Sequence, residues 1–228
     1  MRRAAAILCV VLSACASGGS GAPAGEDVRF TTDDGVELVG EVRGNGELAV
    51  VLLHMYPADR DSWTPFASRL AGEGYTALSF DFRGYGESGG AKRIDQIWRD
   101  VLAAVRLMRS RGHGRIALVG ASMGGTAALI VAARADLAGV VTLSAASSFR
   151  GLTIPPEALT LIDEPTLFIA AQEDVSAATT AQELYAGSPG GKEVQIVAGS
   201  EHGTELLHGE QAGSVQAAIL DFLQTDAA

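Results

Sequence analysis

The run Leu48–Leu53 reads LAVVLL and is apolar at every position. A strand with one face in water alternates apolar and polar residues, whereas a strand covered on both faces is apolar throughout. This run therefore favours a mostly parallel sheet with helices on both of its sides.

The remainder of the chain alternates strand-like and helix-like segments. The predicted strands are residues 28–32, 37–43, 48–53, 76–82, 115–119, 139–143, 165–171 and 193–197, and the predicted helices are residues 62–74, 94–108, 123–134 and 214–224. Asp33–Asp34–Gly35 is a tight-turn signal, so the first two strands should pair antiparallel. Helical crossovers between the later strands predict parallel pairing. We expect a single α/β domain with a mostly parallel, eight-stranded sheet flanked by helices.

Composition and residue spacing argue against nucleic-acid binding and against a metal site. The chain has 228 residues and a formal net charge of −10, with no cluster of lysine and arginine. Nucleic acid is therefore not an expected partner. No set of histidines and carboxylates has metal-ligand spacing, so neither a metal nor another cofactor is predicted.

The first residues have the order of a secretory signal: two arginines, a short apolar run and small residues. Leu12–Cys15, LSAC, resembles the lipobox of bacterial lipoproteins, which implies a lipid anchor on Cys15. The chain then divides into a signal peptide at 1–14, a lipidated tether at 15–26 and a folded domain at 27–228. The expected location is extracytoplasmic and anchored to the bacterial envelope. The alternative is an ordinary cleaved signal and a secreted protein.

The stretch Gly120–Gly125, GASMGG, fits the pattern Gly-x-Ser-x-Gly between a predicted strand and a predicted helix. That context is the one in which a sharp turn exposes a nucleophilic serine at a helix N-terminus, where free N–H groups favour a developing anion. Ser122 is therefore the candidate nucleophile. The alternative is a glycine-rich turn with only a structural role.

A serine nucleophile needs a base, and the base needs an orienting carboxylate. His202 follows the last predicted strand in a glycine-rich loop and is the candidate base. Asp174 follows the strand before it and is the candidate acid, with the adjacent Glu173 as the alternative. Asp174 could instead cap the helix that begins near Ser176.

Several motifs in this order resemble the α/β-hydrolase superfamily across residues 28–224: LLHMYP, DFRGYGESGG, GASMGG, QEDVSA and SEHG. The resemblance implies that the N–H groups of Met123 and Tyr56 form the oxyanion hole. Met55 stands where the family usually has glycine, and Tyr56 could instead offer its phenol. His54 is then expected to fix this loop, and the DFRGYGESGG loop to brace its neighbours.

The segment between the predicted strands at 139–143 and 165–171 has room for about one short helix, so no substantial lid and an open, shallow site are expected. The resulting hypothesis is a serine hydrolase that cleaves small or accessible carboxylic esters. Thioester or peptide cleavage would use the same residues. A hypothesis of a different class is an inactive, lipid-anchored binding protein on a hydrolase fold.

Overall fold

The computed structural model describes residues 25–189 and 191–227, and the predicted signal peptide and Cys15 lie outside this part of the chain. The strands are β1 (Glu26–Thr31), β2 (Glu37–Arg43), β3 (Leu48–Leu53), β4 (Thr76–Phe80), β5 (Arg115–Ala121), β6 (Gly139–Leu143), β7 (Ser148–Phe149), β8 (Leu152–Thr153), β9 (Thr166–Ala171) and β10 (Lys192–Val197). The helices are α1 (Thr64–Gly72), α2 (Ile97–Ser110), α3 (Met123–Ala132), α4 (Pro156–Leu159), α5 (Val175–Gly187) and α6 (Ala212–Thr225). Short 3-10 turns lie at Arg60–Trp63, Ile94–Gln96 and Gly203–Leu207.

Eight of these strands form one sheet in the order β1-β2-β4-β3-β5-β6-β9-β10. The strand β2 pairs antiparallel with β1 and β4, and the other neighbours in the sheet pair parallel. The predicted fold class, a mostly parallel eight-stranded sheet flanked by helices, is confirmed.

Alternate residues of β3 enter two separate cores, one on each face of the sheet. Ala49, Val51 and Leu53 pack beneath α2, α3 and α5. Leu48, Val50 and Leu52 pack on the other face with side chains of α1 and α6. Burial on both faces is what the continuous apolar run predicted.

Several local features differ from the predictions. The predicted helix at 94–108 begins as a 3-10 turn, and α2 starts only at Ile97. The predicted strand at 76–82 ends at Phe80, since the next residues leave the sheet for a loop. The segment between β6 and β9, residues 144–165, holds the short helix α4 but also an unpredicted hairpin of β7 and β8. It contains no separate lid domain.

Among residues 25–189 and 191–227, no helix has both the length and the apolar character needed to cross a membrane.

Candidate active site

Ser122 lies in the sharp turn between β5 and α3. Its backbone has φ +49° and ψ −114°, in the left-handed half of conformational space that residues with a Cβ rarely adopt. Its N–H donates to the carbonyl of Leu143, and its own carbonyl accepts from Thr126 N–H in the first turn of the helix. The strained turn is therefore held from both sides, with the serine between strand and helix.

Small residues flank Ser122 because the backbone leaves no room for larger ones. A Cβ on Gly120 would lie 2.5 Å from backbone atoms of Gly124. A Cβ on Gly124 would lie 2.3 Å from the carbonyl oxygen of Leu53, at the end of β3. The glycines of the Gly-x-Ser-x-Gly pattern therefore let α3 approach both β5 and β3.

The three predicted catalytic residues meet at the carboxyl ends of the parallel strands. His202 Nε2 lies 2.9 Å from Ser122 Oγ, and His202 Nδ1 lies 2.6 Å from Asp174 Oδ2. The residues come from three separate loops, which follow β5, β9 and β10. The histidine side chain remains 44% exposed, so the site is open to substrate and water.

The geometry also fixes which ring nitrogen of His202 carries the proton. An ionised carboxylate can only accept a hydrogen bond, so Nδ1 is the donor toward Asp174. In the neutral imidazole, Nε2 then has a free lone pair directed at the Ser122 hydroxyl. This is the tautomer that can accept the proton of the serine.

Asp174 both caps a helix and contacts the histidine, the two roles considered for it from the sequence. Its Oδ1 accepts from Ala177 N–H at the start of α5, while its Oδ2 faces His202. The alternative acid, Glu173, is exposed, and its backbone N–H donates to the carbonyl of Gly199. This bond ties the loop that carries Asp174 to the loop that carries His202.

Ser144, at the end of β6, is a positioning residue that the sequence did not single out. Its buried hydroxyl accepts from the N–H of Gly203, the residue after His202. Gly203 has φ +59°, and a Cβ there would lie 2.6 Å from Met55 Sδ. Met55, the departure from the family pattern, thus packs its thioether against the loop that carries the base.

The residues predicted for the oxyanion hole come from the loop after β3 and from the start of α3. Met123 is the first residue of α3, where helical geometry leaves N–H groups without a partner inside the helix. Within the described part of the chain, neither Met123 N–H nor Tyr56 N–H donates a hydrogen bond to another residue. The Tyr56 ring packs against Phe149, with ring centroids 5.8 Å apart.

His54 is a fully buried histidine that connects two loops next to the site. Its Nδ1–H donates to Met55 carbonyl at 3.0 Å, and its Nε2 accepts from Phe82 N–H at 3.1 Å. Burial lowers the pKa of His54 to about 4, so the ring is neutral at physiological pH. These bonds fit the structural role expected for His54.

The DFRGYGESGG segment braces the loops beneath the site. The buried carboxylate of Asp81 accepts from the backbone and guanidinium of Arg60 and from Glu87 N–H. Arg83 is buried in an ion pair with the fully buried Asp100 of α2. The charged side chains of this segment therefore form hydrogen bonds and ion pairs within the protein, in agreement with the structural role predicted for it.

Comparisons with known proteins agree with this architecture. A family model described as alpha/beta hydrolase fold matches residues 49–159. The esterase Pf2001 of Pyrococcus furiosus superposes with a TM-score of 0.81 at 22% identity, over 90% of this chain and 94% of that one. The chain has the α/β-hydrolase fold.

Other proteins are also similar to this chain. The esterase EaEST of Exiguobacterium antarcticum superposes with a TM-score of 0.70 at 16% identity, over 88% of this chain and 100% of that one. The uncharacterized protein Rv2307c of Mycobacterium tuberculosis is 29% identical over 82% of this chain and 76% of its own length. The human serine hydrolase BPHL is 35% identical over 44% of this chain and 36% of its own length. The solved structures, both under 25% identical to this chain, support the α/β-hydrolase fold.

Gly124→Ala should destabilise the fold because its new methyl group would meet the backbone of Leu53. We expect the free energy of unfolding in urea to fall by about 1–3 kcal/mol, the usual cost of overpacking. Gly72→Ala is the matched control, because a Cβ at that exposed helix position meets no atom within 4 Å. Equal stability of the two variants would contradict the close approach of α3 to β3.

Proposed function

We propose that this protein is a serine hydrolase that cleaves small or accessible carboxylic esters through an acyl-enzyme. The observation that carries the proposal is the continuous hydrogen-bond chain from Ser122 through His202 to Asp174, with distances of 2.9 and 2.6 Å. A nucleophile, a base and an orienting carboxylate in this order form the arrangement used for acyl transfer.

In the first half of the reaction, Ser122 Oγ attacks the ester carbonyl carbon while its proton passes to His202 Nε2. The carbonyl π electrons move onto oxygen, and Asp174 stabilises the imidazolium through its bond to Nδ1. The N–H groups of Met123 and Tyr56 hold the oxyanion, and the positive end of α3 adds to the stabilisation. The intermediate then expels the alcohol, which takes its proton from Nε2.

In the second half, water enters and gives a proton to His202 Nε2 as its oxygen attacks the acyl carbon. The new tetrahedral intermediate breaks the bond to Ser122 Oγ, which recovers the proton. The products are one carboxylic acid and one alcohol, and the net reactants are ester and water. The exposed face of His202 and the absence of a lid domain between β6 and β9 support access for this water and for bulky alcohols.

Hydrolysis of p-nitrophenyl esters and labelling by a fluorescent phosphonate should test this proposal together. Ser122→Ala should abolish labelling and lower kcat by at least about 10³-fold, because Ser122 Oγ is the one hydroxyl of residues 25–189 and 191–227 that is hydrogen-bonded to His202. Asp174→Asn should lower kcat by about 10⁴-fold, because an amide does not hold the required imidazole tautomer.

Glu173→Gln is the matched control for Asp174→Asn, since it removes an adjacent carboxylate that does not contact His202. We expect it to change kcat by less than about twofold, in line with other exposed substitutions. Failure of the wild-type protein to label or to hydrolyse any ester would reject the enzyme and favour a binding protein. A larger loss of kcat in Glu173→Gln than in Asp174→Asn would reject Asp174 as the acid.

We also propose that the protein is held at the extracytoplasmic face of a bacterial membrane by lipid on Cys15. The support is the LSAC sequence after the apolar run. Cys15→Ser should move the protein from the membrane fraction to the soluble fraction, because the acyl chains supply the anchoring free energy. Intact-mass measurement of the wild-type protein should show added acyl mass, and an unmodified Cys15 in membrane-bound protein would contradict the proposal.

A further inference from the structure

The hairpin formed by β7 and β8 extends from the end of β6 and packs against α3, the helix that follows Ser122. Leu152 is buried in the core, and Ser148 and Thr153 hydroxyls lie 2.8 Å apart across the two strands. The hairpin is thus fixed to the same helix that positions the nucleophile.

The turn of this hairpin consists of Arg150 and Gly151, which have φ values of +47° and +86°. Two-residue turns with positive φ at both positions favour asparagine, aspartate and glycine, since a larger side chain is strained there. Arg150 is therefore an unusual choice for the turn itself, and its side chain is exposed.

The Arg150 guanidinium lies over two aromatic rings beside the proposed oxyanion loop. Its central carbon is 4.4 Å from the Tyr56 ring centroid and 5.5 Å from that of Phe149. We call Tyr56, Phe149 and Arg150 the arginine platform. Stacking on aromatic faces orients a guanidinium while it leaves the N–H groups at its edge available for a ligand.

The positive charge of this platform is not neutralised by the rest of the described chain. Within residues 25–189 and 191–227, no carboxylate forms an ion pair with Arg150. A carboxylate pairs with seven other arginines, namely Arg29, Arg43, Arg60, Arg83, Arg93, Arg99 and Arg111. Within the same residues, Arg69, Arg106, Arg109, Arg115 and Arg134 form no ion pair either. Arg150 differs from these arginines in its contact with Tyr56 of the proposed oxyanion loop. It places a positive charge there in a chain with a net charge of −10, whose overall field repels anions.

Two features connect the platform with the proposed oxyanion hole. Tyr56 contributes its ring to the platform and its N–H to the proposed oxyanion hole. Tyr85 places its hydroxyl 4.0 Å from Met123 Sδ, on the residue next to Ser122. Burial and the nearby Tyr56 raise the pKa of Tyr85, and the positive charge of Arg150 opposes this rise.

We propose that Arg150 binds a carboxylate on the substrate, so that the preferred esters carry an anionic group in addition to the scissile bond. A guanidinium offers two parallel N–H groups that match the two oxygens of a carboxylate. A phosphate dianion would need further donors, and no second cation belongs to the platform. This inference rests on the proposed function, because it assigns a substrate class to that site.

The test uses two pairs of esters, and in each pair methylation of a carboxylate removes one negative charge. In the first pair the carboxylate is on the acyl side. The two compounds are the mono-p-nitrophenyl ester of adipic acid and the mixed diester in which its free carboxyl group is methylated. In the second it is on the alcohol side: 4-carboxyphenyl hexanoate and the methyl ester of that carboxyl group. The measured quantity is the ratio of kcat/KM for the anionic ester to kcat/KM for its neutral partner.

In at least one pair, Arg150→Gln should lower this ratio roughly three- to tenfold, mainly through a higher KM, as expected for an exposed charged contact with two-point geometry. Arg150→Lys keeps the charge but not the planar guanidinium, so its ratio should lie between that of the wild-type protein and that of Arg150→Gln. Raising NaCl from about 0.05 to about 0.5 M should reduce the wild-type ratio through screening. Arg106→Gln, which removes an exposed arginine of α2, should leave the ratio unchanged.

An unchanged ratio in both pairs for Arg150→Gln would overturn the proposal, as would an equal loss on anionic and neutral esters. The latter result would show that Arg150 only stabilises the hairpin. Failure of the proposed function is separately visible, because the wild-type protein would then hydrolyse neither neutral ester and would not react with the phosphonate.

Discussion

The close approach of α3 to the ends of β3 and β5 is the constraint on which the rest of the site depends. At Gly124 the helix lies against the carbonyl of Leu53, and at Gly120 the strand lies against the helix backbone. This compact turn holds Ser122 in its left-handed conformation, with its hydroxyl 2.9 Å from His202 Nε2. The same approach brings the N-terminus of α3 next to the loop after β3, so the two proposed oxyanion donors come from adjacent backbone segments.

The acid and the base are held by a second set of backbone contacts. The bond from Glu173 N–H to Gly199 joins the loops after β9 and β10, and Ser144 fixes Gly203 beside His202. Asp174 is in turn oriented by the N-terminus of α5, because one carboxylate oxygen caps the helix and leaves the other for the histidine. Catalytic groups work best when the residues that hold them are rigid. The backbone contacts described above hold each of Ser122, His202 and Asp174.

The sheet could be predicted from sequence because its strands carry continuous apolar runs, as at Leu48–Leu53, and its crossovers carry helical spacing. The positions of Ser122 and His202 followed from strand ends and glycine-rich loops. The hairpin at 148–153 could not be predicted in this way, because two-residue strands have no measurable periodicity. Glu173 and Asp174 follow the same strand as neighbours, and only the three-dimensional direction of each side chain separates them. The contacts of Ser144 and Arg150 depend on positive φ values at residues other than glycine, which local sequence does not indicate.

The measurement that most directly tests the account is a crystal structure of the protein after reaction with a phosphonate that mimics the tetrahedral intermediate. The account predicts phosphorus bonded to Ser122 Oγ. It also predicts one phosphonate oxygen at about 2.7–3.1 Å from the backbone nitrogens of both Met123 and Tyr56. Phosphorus on another residue, or an oxygen directed away from both nitrogens, would contradict it.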